Sequence, residues 1–154
     1  MEGAMSSKAT TDAAGVLRRW FEEVWNQGRM ETIDELFPTN AVLWGTGRPD
    51  ASSTGPAEFK EFYKVFRAAC PDIRITVEHV VQEGDMAFAR WTARMTHTGE
   101  GLGMPATNRA MTLSGMSACR AKDGKLAEGW NVWDQLGMLR ALGVLSGPAA
   151  EMFK

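Results

Sequence analysis

Between residues 109 and 134 the chain reads RAMTLSGMSACRAKDGKLAEGWNVWD, and no other stretch limits its folding so tightly. The Asp123–Gly124 pair inside KDGK is a tight-hairpin signal, because both positions tolerate the positive φ such turns need. Side chains alternate in character on either side of it, which predicts antiparallel strands over 109–121 and 125–134. With Lys122 opposite Lys125, Ser117 faces Trp130 and Leu113 faces Asp134. Alternation then groups Met111, Leu113, Ser117 and Cys119 with Leu126, Trp130, Val132 and Asp134 on one face. Thr112, Ser114, Met116 and Ala118 share the other with Ala127, Asn131 and Trp133. One bulge in the hairpin would reverse part of this assignment.

Upstream, IRITVEHVV (73–81) and MAFARWTARMTHT (86–98) read as two more strands about an EGD turn, followed by the loop GEGLGMPATN (99–108). If His97 opposes Arg109, then Ala89, Trp91, Ala93, Met95 and His97 join the face of Asp134. The first half of the chain is helical instead. Val16, Leu17, Trp20, Phe21 and Val24 form one stripe over 12–27, with Thr11 or Asp12 as cap and Gly28 as stop. METIDELF (30–37) forms a second helix ended by Pro38. A third starts at Pro56, carries Phe59, Phe62, Tyr63 and Phe66, and ends at Cys70–Pro71. AVLWG (41–45) is a short strand and RPDASSTG (48–55) a polar loop. Helices first and then a four-strand meander indicate an α+β fold, with helices packed on one side of a curved antiparallel sheet. The expected organisation is a leader over 1–11 (with a second methionine, Met5), one domain over 12–143 closed by helical turns at 136–142, and a tail over 144–154.

The predicted inner face is apolar except for one acid, one imidazole and one hydroxyl. Six Trp and ten Met suit a lined apolar cavity, though composition alone favours a filled core. A carboxylate in such surroundings is desolvated and its pKa rises toward the range useful for proton transfer. An apolar concavity with few polar groups is the form of a small-molecule site. The net charge of −2 gives no basic field for nucleic acid or anionic lipid, and no apolar run is long enough to span a bilayer. Cys70 and Cys119 form no disulfide framework, which points to a reduced, cytoplasmic setting. No Cys/His cluster has zinc spacing, so no metal is expected.

The order W-N-x-G (Trp25, Asn26, Gly28), CPDIRITVEHVVQEGD, RWTARMTHTGEGLGMPATNRAMTLSGMS and R-x-K-D-G-K-L-x-E-x-W-x-V-W-D-Q-L-G resembles the SnoaL-like polyketide cyclase (ester cyclase) family, of the nuclear-transport-factor-2-like superfamily. The resemblance implies a cone: a curved sheet wrapped by about three helices around an apolar pocket, usually in a homodimer. It also implies ring closure of a polyketide-like ligand by intramolecular aldol condensation, without metal or cofactor. An aspartate near the end of the last strand moves the proton, a role that maps onto Asp134. His97, in the THTG segment, is the second catalytic candidate, with loop anchoring as its alternative. Trp44, Trp91, Met95, Leu113, Ser117 and Trp130 are the substrate-binding candidates. Three positions depart from the family. Ser117 stands where cyclase-like members often carry His, Trp44–Gly45 where many carry a strand-end His, and Asn131 where many carry Asp. If position 131 holds the true acid, this chain has lost it. Three functions therefore compete: a cyclase or isomerase, a non-catalytic binder of an apolar metabolite, and an interaction module using the outer side of the sheet.

Overall fold

The computed structural model describes residues 12–152 except Arg48 and Pro49; the expected leader, Met5 included, lies outside the described residues. Helix α1 (Ala13–Arg19) begins at Asp12, whose Oδ1 accepts the Gly15 N–H at 2.7 Å. It then widens into a π-helical stretch, Trp20–Asn26, closed by a bond from the Gln27 N–H to the Glu22 carbonyl at 2.9 Å. That wider turn puts Trp20, Phe21, Val24 and Trp25 on the buried side together. Asn26 ends the stretch and docks it on the sheet. Its Nδ2 donates to the Ile75 carbonyl (2.8 Å) and its Oδ1 accepts the Ile75 N–H (2.6 Å), as a neighbouring strand would. The Asn of the W-N-x-G motif is thus a splice between helix and sheet edge.

Helix α2 (Met30–Leu36) and α3 (Gly55–Ala69) flank two short strands, β1 (Val42–Trp44) and β2 (Ser52–Thr54). Four long strands follow: β3 (Arg74–Glu83), β4 (Met86–Thr96), β5 (Ala110–Lys122) and β6 (Lys125–Trp133). Helix α4 (Gln135–Leu142) and the short α5 (Pro148–Met152) end the described chain. The sheet order is β2-β1-β6-β5-β4-β3. The expected four-strand meander is therefore part of a six-strand sheet. The polar loop contributes β2, and β1 joins β6 in parallel, pairing Trp44 with Trp130. The strand expected over 41–45 is β1, while β2, three polar residues without alternation, gives no sequence signal until β1 offers its edge.

Two irregularities bend the sheet, one at Glu78 on β3, between Val77 and His79, and one at Ala127 on β6, opposite Arg120 and Ala121. Bulges of this kind add twist and curvature. The helices fill the concave side. An aromatic cluster from the π-helical stretch and α3, including Trp20–Phe59 at 4.8 Å and Trp25–Tyr63 at 5.1 Å, forms the wall opposite the strands.

Candidate functional site

The bulge beside the hairpin decides which side chains reach the concave side. Near the turn the expected pairing holds, with Lys122 opposite Lys125 and Ala121 opposite Leu126. One residue later it shifts: Arg120 pairs with Glu128 and Ser117 with Asn131 rather than Trp130. Because side chains alternate, the shift turns the rest of β6 over. Asn131 and Trp133 face inward with Ser117, while Val132 is 73% exposed on the outer side. The β4–β5 pairing holds as expected, with Met95 opposite Met111 and the His97 N–H bonded to the Arg109 carbonyl at 3.0 Å.

The concave side holds a hollow lined by Trp20, Phe21, Trp25, Phe59, Phe62 and Phe66 from the helices and by Trp91, Met95, Leu113, Ser117, Asn131 and Trp133 from the sheet. It contains about 860 Å³ of space between atoms, open mouth included, but only about 80 Å³ admits the centre of a water molecule. The space is therefore narrow and close-walled. Of its polar groups, Thr46 bonds Ser53, and three others form a relay. Trp91 Nε1 donates to Ser117 Oγ at 2.9 Å, and Ser117 Oγ donates to Asn131 Oδ1 at 2.6 Å. Gly115 makes this possible. It pairs with Trp91, and a Cβ there would lie 2.3 Å from the indole ring, so only bare backbone lets the ring cross β5 toward Ser117. Gly45, at φ 81°, lets β1 end directly against the Asn131 carbonyl. Cys119 also lines the hollow; burial pushes its thiol up to about 12.

The candidate residues separate accordingly. Trp91, Met95, Leu113 and Ser117 line the hollow. Trp130 borders it from a position whose alternation is outward, paired with Ala118. Trp44 does not. It is 40% exposed, and its Nε1 donates to Glu128 Oε1 at 3.0 Å on the outer side. Asp134 is likewise exposed, outside the lining, and its Oδ1 accepts the Gly137 N–H at 2.7 Å as the cap of α4. The expectation that this carboxylate points into the apolar hollow is corrected: the bulge turns β6 over, and the helix that follows takes the side chain as its cap. His97 is fully buried but is not part of the lining. Its Nδ1 accepts the Thr107 N–H at 3.3 Å and lies 3.1 Å from Thr107 Oγ1, anchoring the loop before β5. Its Nε2 has no partner among the described residues. Asn131 and Trp133 line the hollow although sequence reasoning put them on the other side. The signal that could have found Asn131 is pairwise: only the shifted register sets polar Ser117 against polar Asn131.

Among the described residues no group of three His, Cys, Asp or Glu side chains is placed to hold a metal ion, and no helix is long and apolar enough to cross a membrane.

A curved, unclosed six-strand sheet with helices packed into its concave side around an apolar hollow defines a pocket-bearing α+β cone. The chain belongs to the SnoaL-like polyketide cyclase family, whose model matches residues 15–142. Among solved structures it is similar to wild-type IdmH from Streptomyces antibioticus, a proposed polyketide cyclase, at 31% identity and TM-score 0.74, over 86% of this chain and 99% of that one. It shares its fold with AclR from Streptomyces galilaeus, a proposed hydroxylase (22% identity, TM-score 0.77, 90% and 89% covered). The same holds for a SnoaL-like protein from Jannaschia sp. CCS1 (20% identity, TM-score 0.77, 94% and 100% covered). No functionally curated protein matches the sequence.

Proposed function

We propose that the protein takes a neutral, apolar small molecule into the hollow of the cone and grips it by its flat faces, with Asn131 as the polar contact. Any ring closure there runs by confinement of the reacting chain and not by a protein carboxylate. The observation that carries this reading is the composition of the wall. Among its described residues there is no carboxylate, imidazole or amine, and the one titratable group, Cys119, is held protonated by burial. Asp134 supports proton transfer poorly from where it stands, exposed and committed to a helix cap. Holding a flexible chain in a reactive geometry is itself worth orders of magnitude in rate. A neutral hydrogen bond to a carbonyl adds to it.

The test is a titration with N-phenyl-1-naphthylamine, a neutral dye that brightens in apolar surroundings. Saturable one-to-one binding is expected, with quenching of the wall tryptophans. Ala93→Phe fills the hollow and should weaken binding at least ~10-fold, while a cooperative thermal transition confirms that it folds. Undiminished dye binding by that variant would remove the pocket from consideration.

We also propose that a second copy of the chain covers the outer side of the sheet. Register places Val81, Phe88, Ala118, Trp130 and Trp44 in one row across five strands, with Met116 and Val132 beside it. Several are largely exposed, Met116 and Val81 at 64% each. So continuous an apolar stripe suits an interface. Arg74 and Arg94 mark one end of this face, and at the other Glu83 and Glu128 flank Arg120. A two-fold axis running across the strands sets opposite charges of the two copies together. Sedimentation at micromolar concentration should show a dimer; a monomer there would defeat this arrangement.

A further inference from the structure

We propose that Trp91 and Ser117 are positioning residues that fix the amide of Asn131 with its NH₂ group toward the ligand, so that the hollow selects a ligand whose polar atom accepts a hydrogen bond. This rests on the pocket reading above and gives that pocket a chemical polarity.

An indole N–H can only donate. Trp91 Nε1 is 2.9 Å from Ser117 Oγ, so Ser117 must accept there. Its own proton goes to its other neighbour, Asn131, whose Oδ1 lies 2.6 Å away. An atom receiving that proton must be the amide oxygen, because the NH₂ group has no lone pair to offer. With one lone pair of Ser117 taken by the indole, the arrangement that also uses the Ser117 proton is the one that turns the amide oxygen toward Ser117, so Trp91, itself 6% exposed, biases the turn of an amide two strands away. Each bond polarises the next, which strengthens the preference. Asn131 Nδ2 makes no hydrogen bond among the described residues, and Asn131 lines the hollow. The free end of the relay is thus a donor pair.

A donor end facing aromatic walls fits a flat, uncharged molecule with a carbonyl or similar acceptor oxygen. It disfavours one whose only polar atom is a donor, since two donors face each other and neither is satisfied. An Asp at position 131 would present oxygens alone and reverse the preference. Gly115 belongs to the same device, since a side chain there would displace the Trp91 ring from Ser117.

The test uses three isosteric tricyclic probes: 9-fluorenone (acceptor only), fluorene (neither) and carbazole (donor only). Their Kd values are measured by tryptophan quenching and corrected for water–octanol partition. Fluorenone should bind about 10-fold tighter than fluorene, and carbazole no tighter than fluorene. Ser117→Ala should bring the fluorenone-to-fluorene ratio close to one, and Ser117→Thr, which keeps the hydroxyl, should retain it. Thermal unfolding confirms that both variants fold, and a merely structural role for Ser117 would leave the ratio unmoved. Equal binding of all three probes, tightest binding of carbazole, or an intact ratio in Ser117→Ala overturns the inference while leaving the pocket standing. If none of the probes binds, the pocket reading itself fails and the inference falls with it.

Discussion

At the scale of single residues, two positions three apart exchange the roles expected of them. Asp134 has the identity of a proton-transfer group and the place of a helix cap; Asn131 has the place and lacks the charge. Asp134→Ala should therefore destabilise the fold by about 1 kcal/mol, the usual loss for an N-cap. Probe binding in the hollow should stay unchanged. Chemical denaturation and dye titration measure the two separately, and a large loss of binding with intact stability would return Asp134 to the site. The residue types of the site were legible in the sequence: a hydroxyl, aromatic rings, methionines and one polar group at the end of the last strand. Which polar group it is was not legible, because alternation fixes sides only relative to a register, and one extra residue reverses them.

Among the elements, the π-helical stretch is the one that helical periodicity fails to announce, since its apolar residues at 20, 21, 24 and 25 also suit an α-helix. Polar anchors hold it. Glu23 receives both Arg19 Nε (2.8 Å) and Arg19 Nη2 (2.9 Å), and the buried Thr32 hydroxyl at 2.8 Å, tying the first helical segment to α2. These bonds, Arg19 foremost and Thr32 next, hold the Glu23 carboxyl down at about 2 instead of its ordinary 4.5. A lowered value means that the folded state favours the charged form. The contribution is whole above pH 4.5 and fades as pH falls toward 2. Glu23→Gln should lose about 1 kcal/mol at neutral pH, a modest figure because Arg19 is solvent-exposed. The gap from the unaltered protein should close in strongly acidic buffer. Urea titrations across pH follow it, and a gap that does not depend on pH would mean that packing, not charge, carries the effect. The long strands, the hairpin and the third helix were legible because period and turn chemistry agree there. The short strand at 41–45 was legible too, as β1, but its parallel pairing with β6 was not, because that partner lies more than eighty residues along the chain, and β2 was hidden inside a stretch that reads as a polar loop.

At the scale of the whole molecule, the sheet has two apolar sides with different fates. The inner one is closed by helices around the hollow, and the outer one leaves Phe88, Met116 and Val132 in solvent. If a second copy covers that side, Met116→Lys with Val132→Lys should convert the dimer to monomer with at least a 100-fold weaker association, since each buried unpaired charge is costly. Sedimentation velocity reads the association, and near-unchanged dye binding by the monomer would show that the hollow does not depend on the partner. A double variant that stays dimeric would place the interface elsewhere.

The order of helices and strands, the hairpin and the apolar character of the concave side follow from local pattern: 3.6-residue and 2-residue periods, an Asp-Gly turn, and caps beside hydrophobic runs. These need only neighbours in sequence. The identity of the polar group in the hollow, the direction of its hydrogen bonds and the capping role of Asp134 were decided by the folded sheet. They depend on how two strands slide past each other by one residue, and that offset is set by packing across the whole sheet.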